Sequence, residues 1–297
     1  MGKVIEYFLG FEKGWTHRGK VRDIYDLGDS LLMVATDRIS AFDVVLPNGI
    51  PSKGFVLNNL SAFWFELTKH IVPNHLVRVV DDINNPVGFG HFPYFFNGRS
   101  MVVRKAKRID IECITRGYIS GSAWAEYKQY GTVAGLPMPK GLKESDRLPQ
   151  ILFTPTTKTE KGHDEPISIK QMQEMVGKDL TDEITAKTLE VYNFAVDYAR
   201  DRGIIIADTK MEFGMIDGKL SLIDELLTPD SSRSWDLNKY SPGGPQPSFD
   251  KQPVRDWLIA SGWNKEPPAP ELPEEVILAT TERYREVYKR LTGRLLD

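Results

Sequence analysis

At 297 residues, against a usual ~150 per domain, the chain is long enough for about two domains, a sizeable core and an enclosed cleft, which excludes a bare peptide motif or a disulfide scaffold. Its composition, 41% hydrophobic and 27% charged with 24 Gly and 19 Pro, sits in the soluble globular range and excludes a disordered or collagen-like chain. With 38 Lys plus Arg against 41 Asp plus Glu, the net charge of -3 gives no global positive field for nucleic acid or an anionic membrane, so any anionic partner must meet a local basic cluster. The one cysteine, Cys113, cannot form an internal disulfide, and Ile111-Glu112-Cys113-Ile114 reads as strand interior rather than an activated thiol. No apolar run approaches the ~18 residues of a membrane span. Glu6 and Glu12 interrupt any signal-peptide core, and Glu6 occupies the Ser/Thr position of a myristoylation signal, so a cytoplasmic protein is expected. Asn59-Leu60-Ser61 matches a glycosylation sequon inside a helical pattern, and we take it as a chance match.

In chain order, Val21 to Leu27, the turn Gly28-Asp29-Ser30 and the run Leu31 to Ala35 predict an N-terminal hairpin. After a loop from Gly49 to Gly54, Leu57, Leu60, Ser61, Trp64, Leu67 and Thr68 recur at helical spacing, giving a face that can pack on that sheet. Asp81 to Arg99, with Pro86, Gly88, Gly90, Pro93 and Gly98, reads as irregular connection before strands at Met101 to Ala106 and Ile109 to Thr115, with a lobe boundary near 107. Ser168 with Gln171 starts a short helix ending at Gly177. A longer helix over Asp182 to Arg202 closes at Gly203, with Tyr192, Ala195, Val196 and Ala199 as its buried stripe. Ile204 to Ala207 and Leu220 to Ile223 flank the turn signal Asp217-Gly218 and form a second hairpin. Further on, a helix starts at Pro253, a Pro-rich linker runs from Pro267 to Pro273, and a last helix buries Tyr284, Val287, Tyr288 and Leu291.

The five histidines have no metal-ligand spacing, and there is no nucleophile elbow, Walker loop or dinucleotide fingerprint. What remains suits anions and a divalent cation. Arg18-Gly19-Lys20-Val21-Arg22-Asp23 opens the first hairpin with a glycine that lets backbone approach a ligand and cations that can neutralise phosphate, although basic hairpin ends are also common as solvated loops. In the second hairpin Asp208, Lys210 and Glu212 share one strand face. A two-residue loop at Asp217-Gly218 pairs Ile223 with Glu212. A three-residue bulged loop sets Asp224 opposite Lys210 and diagonal to Glu212, and we expect this second register, because Glu212 and Asp224 then share a face where hard oxygen ligands could hold Mg²⁺ with nucleotide phosphates. The plainer alternative is a surface ion-pair ladder. Glu112 and Arg116 share one face of their strand, and Ser120-Gly121-Ser122 precede a helix, where hydroxyls and amides make either a ready anion site or a plain cap. Thr228-Pro229-Asp230-Ser231-Ser232-Arg233 brings a potential bidentate arginine beside the acidic hairpin.

These stretches, with Ala35-Thr36-Asp37-Arg38-Ile39-Ser40-Ala41-Phe42-Asp43, Thr115-Arg116-Gly117-Tyr118-Ile119-Ser120-Gly121-Ser122-Ala123-Trp124, Asp208-Thr209-Lys210-Met211-Glu212-Phe213-Gly214 and Asp224-Glu225-Leu226-Leu227 in the same order, resemble phosphoribosylaminoimidazole-succinocarboxamide synthase (SAICAR synthetase) nearly end to end. The length and the Asp250-Lys251-Gln252 segment resemble its longer single-function form. The resemblance implies a carbon-nitrogen ligase of de novo purine biosynthesis. It would join L-aspartate to 5-amino-1-(5-phosphoribosyl)imidazole-4-carboxylate with ATP and Mg²⁺, through an acyl phosphate, as a monomer or weak homodimer without nucleic-acid or membrane partners. It also implies an α+β fold of two lobes around an ATP cleft, as in kinases and ATP-grasp enzymes: an antiparallel β lobe (1–107), a larger lobe (108–240) and a C-terminal helical segment (241–297). On that resemblance Gly19, Lys20, Val21 and Arg22 would cover the phosphates, Val103, Arg104, Lys105 and Ala106 would form the adenine hinge, and Glu112 would lie near the nucleotide. Glu212 and Asp224 would hold the metal. Lys210, with Lys20 and Arg233, would act on the reacting groups; Arg116, Ser120, Ser122, Asp230 and Arg233 would bind the ribotide, and Arg38, Ser40 and Lys53 the aspartate. Two rivals are a Mg-dependent small-molecule kinase, which would ignore aspartate, and an inactive nucleotide-binding scaffold.

Overall fold

In the computed structural model, which describes residues 16–81, 94–159 and 164–296, the strands build two large antiparallel sheets, of five and six strands, and two two-stranded ribbons. Strands β1 (His17–Arg18), β2 (Arg22–Asp26) and β3 (Ser30–Ala35) form the first hairpin, and the small β4 (Arg38–Ala41) and β5 (Val44–Gly49) ribbon follows. Helix α1 (Lys53–Thr68) leads to β6 (Leu76–Val79) and β7 (Ser100–Arg104), which complete a five-stranded sheet of order β1-β2-β3-β7-β6. Asn59 lies within α1, where its side-chain amide donates to the Phe55 and Gly98 carbonyls. Most of the connection read over Asp81 to Arg99, and Glu6 and Glu12, lie outside the described residues.

The chain enters the second sheet through β8 (Lys107–Tyr118), and α2 (Gly121–Tyr130) follows at its end. Next come the short β9 (Thr132–Val133) and β10 (Leu136–Pro137), then β11 (Arg147–Phe153) and β12 (Thr156–Thr157), which pair with β8. Ser168 and Gln171 form the reciprocal cap of α3 (Ile169–Val176), and α4 (Lys178–Arg200) begins four residues before its expected start. Strand β13 (Ile204–Ile216) pairs with β8 along one edge; its other edge is shared by β14 (Lys219–Ile223) and β15 (Ser232–Asp236). The helices α5 (Gln252–Ala260) and α6 (Glu274–Thr292) end the fold, α6 burying Tyr284, Val287, Tyr288 and Leu291 as expected. Among the described residues no helix is long and apolar enough to cross a membrane.

One core joins these parts. Met33 and Val103 of the first sheet, Leu57 and Trp64 of α1, Ile111 and Phe213 of the second sheet, Tyr192 of α4 and Tyr284 of α6 belong to a single buried cluster. Tyr192, Ala195 and Ala199 are buried as expected, and Val196 only partly. Cys113 is buried in that core, and burial pushes its thiol well above the ordinary value, as befits an inert side chain.

The register of the second hairpin corrects the sequence reading. Glu212 stands opposite Ile223 and Ile216 opposite Lys219, so the loop has two residues, and the expected bulge is absent from it. Asp217 and Gly218 take φ values of 49° and 75°, the paired left-handed conformation of a type I′ turn that the sequence Asp-Gly favours. Asp224 nevertheless reaches the Glu212 face by another route. It lies one residue past the end of β14 with φ 67°, so the backbone turns out of the strand and re-aims its carboxylate.

Candidate active site

Asp208, Lys210 and Glu212 project from one face of β13, as period-two alternation requires, and each meets residues brought alongside by its neighbours. Asp208 stands opposite Arg116 of β8 on one side and Arg233 of β15 on the other, giving a carboxylate between two arginines. Arg233 Nη1 lies 2.5 Å and Arg116 Nη1 3.7 Å from the same Asp208 oxygen. At the next polar step Glu212 stands directly opposite Glu112, a pairing that repels unless cations intervene. Lys210 Nζ supplies one, 2.7 Å from both carboxylates, and Lys158 bridges the same two. Burial alone would depress Lys210, but Glu212, Asp224 and Glu112 outweigh it and hold the ammonium well above its usual range.

Arg22 ties the first hairpin to this cluster. Its guanidinium lies 2.7 Å from Asp224 and 3.2 Å from Glu225. Burial would raise the Asp224 carboxyl, yet Arg22, followed by Lys210 and Lys158, brings it below its ordinary value. His75, only 3% exposed, borders the same space; burial, and then the nearby Arg22, push its imidazole down to about 3, against the opposing pull of a hydrogen bond with the Asp224 backbone.

A cavity of about 590 Å³ lies between the sheets, and it gathers most of the residues that the sequence nominated. Gly19, Lys20, Val21 and Arg22 border it from the first hairpin, Val103, Arg104 and Ala106 from the β7–β8 junction, and Glu112, Lys210, Glu212, Asp224 and Asp230 from the second sheet and its loops. Ile24, Leu31, Met33, Val103, Ala106 and Ile223 provide an apolar end suited to a flat base. Lys105 is not on this wall; its ammonium pairs with Asp26 on the surface at 2.7 Å. A second cavity, about 340 Å³, is bordered by Ser120, Gly121 and Arg233. Gly121 suits that spot: its φ of +58° is strained for any residue with a Cβ, and a Cβ would stand 2.3 Å from Arg233 Nη2, so the guanidinium would have to move from its place over the start of α2. Ser120 makes no side-chain cap bond, and Ser122 lies 3.5 Å from Arg116 Nη2.

Two nominated cations face inward instead. Arg38 holds Asp23 with its two terminal guanidinium nitrogens and donates to the Gly19 and Lys20 carbonyls from Nη2 and Nε, so it braces the glycine loop from behind. Lys53 is fully buried, with Nζ 2.7 Å from Asp230, whose other oxygen accepts from Tyr284 Oη at 2.6 Å. Neither borders either of these two cavities, whereas Ser40 borders the first. Sequence reasoning missed Lys158, Glu225, His75, Asp43, Lys251 and Arg255 as wall residues. Asp43 and Lys251 stood inside quoted motifs and were there to be found; Lys158 follows a two-residue strand with no motif of its own.

The residues present also fit a divalent cation bound together with phosphates. Glu212 and Asp224 offer hard oxygens to one cavity, and among the described residues no group of three His, Cys, Asp or Glu forms a self-sufficient metal cage. Mg²⁺ typically takes one or two carboxylates and completes its shell with phosphate and water.

Comparison with known proteins gives one consistent match over most of the chain. The family described as SAICAR synthetase matches residues 15–270. The phosphoribosylaminoimidazole-succinocarboxamide synthase of Geotalea uraniireducens is 54% identical over 279 residues, covering 93% of this chain and 94% of the relative; that of Thermodesulfovibrio yellowstonii is 52% identical with the same coverage. Among solved structures, the SAICAR synthase from Saccharomyces cerevisiae complexed with SAICAR superposes with a TM-score of 0.86 at 42% identity, over 99% of this chain and 100% of that one. A SAICAR synthetase in complex with ADP shares the fold, with a TM-score of 0.69 at 24% identity over 95% of this chain and 99% of that one.

Proposed function

This chain belongs to the SAICAR synthetase family, which joins L-aspartate to 5-amino-1-(5-phosphoribosyl)imidazole-4-carboxylate with ATP in purine biosynthesis, and we propose that it does so through an acyl phosphate formed in the cleft between its two sheets. The observation that carries the mechanism is the continuous polar face of β13. Its Asp208 end holds Arg116 and Arg233, and Arg233 borders the second cavity; its Lys210 and Glu212 end lies in the first.

In this reading ATP occupies the first cavity, with its base against the apolar end, the Val103 to Ala106 backbone as hinge, Glu112 nearby and its phosphates under Gly19 to Arg22. The ribotide phosphate lies in the second cavity against Arg233 and the Ser120 hydroxyl; Arg116 and Ser122 do not border that cavity but stand behind this wall, Arg116 reaching the Asp208 that holds Arg233, and Asp230, on the wall of the first cavity, faces the ribose. The ribotide carboxylate then points along the stripe toward Lys210. One carboxylate oxygen attacks the γ-phosphorus and ADP leaves; the aspartate ammonium gives one proton to water, the resulting amine attacks the acyl carbon, and phosphate departs with that oxygen while the nitrogen's second proton passes to water. Lys20 and Lys210 neutralise charge on the transferring group, and Arg22, followed by Lys210 and Lys158, favours the charged form of the Asp224 carboxylate. Glu212 and Asp224 would hold Mg²⁺, which when bound shields the phosphate oxygens from the attacking carboxylate. The lobes 1–107 and 108–240 form a kinase- or ATP-grasp-like pair with 241–297 packed on them, and the enzyme works in the cytoplasm as a monomer or weak homodimer.

A substrate-omission assay of ADP release tests the reading. Turnover requires ATP, ribotide and L-aspartate together; sustained ADP release from ATP and ribotide without aspartate would establish a kinase instead.

A further inference from the structure

The Asp230 carboxylate borders the first cavity from the loop between β14 and β15, and both of its oxygens are held from behind. Lys53 Nζ, at the start of α1, lies 2.7 Å from Oδ2, and Tyr284 Oη of α6 donates to Oδ1 at 2.6 Å. We propose that Tyr284 is a positioning residue for the ligation: its hydroxyl fixes the orientation in which Asp230 meets the ribotide, so that α6 belongs to the substrate-binding apparatus and does more than cover the core. The proposal rests on the reading above that sets Asp230 toward the ribose.

One donor does not fix a carboxylate. A lysine ammonium on a single oxygen leaves the group free to swivel about its Cβ–Cγ bond, because the ammonium is a compact charge with rotatable donors. A second donor on the other oxygen sets the plane, and each oxygen keeps a lone pair for a ligand hydroxyl. Tyr284 is suited to be that second donor, since it is 1% exposed and shares its buried helix face with Val287, Tyr288 and Leu291. Lys53 Nζ also lies 6.0 Å from the centre of the Tyr284 ring, so the three side chains form one packed unit. Burial, and then Asp230, push the phenol well above its ordinary value, which keeps its proton available for donation. Burial would raise the Asp230 carboxyl, but Lys53 and then Lys251, with the hydrogen bonds from Lys53 and Tyr284, bring it below its ordinary value. The ionised group is purely an acceptor, the form that ribose hydroxyls require.

The helix carrying Tyr284 is itself fastened to both neighbours of Asp230. Arg285 donates to Ser52 Oγ at 3.1 Å and the Tyr288 ring meets Phe55 of α1 edge to face at 6.2 Å, while Arg290 lies 3.3 Å from Asp236 at the end of β15. The family match ends at residue 270, before α6 begins at Glu274, so this contact lies outside the matched motifs.

Two experiments on the full chain test this. Tyr284→Phe keeps the ring and its packing and removes one hydroxyl. Its KM for the ribotide should rise ~10-fold, while the KM values for ATP and L-aspartate stay within about threefold and the circular dichroism spectrum is unchanged. A purely structural hydroxyl would leave the three constants unchanged or shift them together, and either result overturns the proposal. Independently of how that variant folds, a crystal structure of the wild-type protein with the ribotide should show Asp230 accepting from a ribose hydroxyl while Lys53 and Tyr284 still hold it; Tyr284 Oη turned away from Asp230 in that complex overturns the proposal. If Asp230 makes no contact with the bound ribotide, the ribose reading and this proposal fall together, whereas a ribose contact with a silent Tyr284→Phe overturns the positioning role alone.

Discussion

Glu212 is the side chain on which the nucleotide half of the site converges, because it faces Glu112 across the sheet and accepts from both Lys210 and Lys158. Glu212→Ala should lower turnover at least ~10³-fold while the circular dichroism spectrum and melting temperature stay near wild type, since Glu112 still partners both lysines. Retained Mg²⁺-dependent activity would contradict its role. His75 gives a second test at this scale. Its folded value of about 3 lies below the ordinary 6.5, so below pH 6.5 the unfolded chain binds a proton that the folded one refuses, and stability falls with pH down to the folded value. At ~1.4 kcal/mol per unit, that slope amounts to several kcal/mol between pH 7 and pH 4, and His75→Gln should flatten it in urea titrations. An unchanged slope would show that the imidazole is not held neutral. Residue types in the Asp208, Lys210, Glu212 stripe were legible from sequence because strand parity alone fixes their common face. The inward turn of Arg38 and Lys53 was not, because a cation's burial depends on carboxylates supplied by distant elements: Lys53 meets Asp230 from a loop near the other end of the chain.

At the scale of elements, turn chemistry decides the geometry of the acidic hairpin. Asp217-Gly218 is legible as a turn, whereas the loop length is not, because the shared face of Glu212 and Asp224 is equally compatible with a bulged register. The structure leaves the register plain and turns Asp224 by a left-handed backbone just beyond β14, a feature that no periodicity encodes. Gly218→Ala should cost about 1 kcal/mol in urea unfolding, because φ of 75° is strained for any residue with a Cβ. A neutral effect would mean that the turn relaxes readily to another type. The Ser168–Gln171 cap and the buried face of α6 were legible because each depends on residues within one or two helical turns.

Over the whole molecule, the site depends on contacts that join parts far apart in sequence. Arg22 links the first sheet to Asp224 and Glu225 beside the second, and Lys53 of α1 and Tyr284 of α6 both hold Asp230. Lys53→Met leaves that buried carboxylate without its cation and should destabilise the protein by about 3–5 kcal/mol in urea unfolding. A loss below ~1 kcal/mol would show that Tyr284 and solvent suffice. This convergence also explains how a chain of net charge -3 can receive several anionic substrates: a local cluster of cations, among them Lys20, Arg22, Lys158, Lys210, Lys251, Arg233 and Arg255, borders adjoining cavities. The central claim is that the ribotide carboxylate is phosphorylated in the cleft and the phosphate is then displaced by the aspartate amine. Ribotide labelled with ¹⁸O in its carboxylate tests it most directly: each phosphate released alongside product should carry one ¹⁸O, and product formed with unlabelled phosphate would contradict the account.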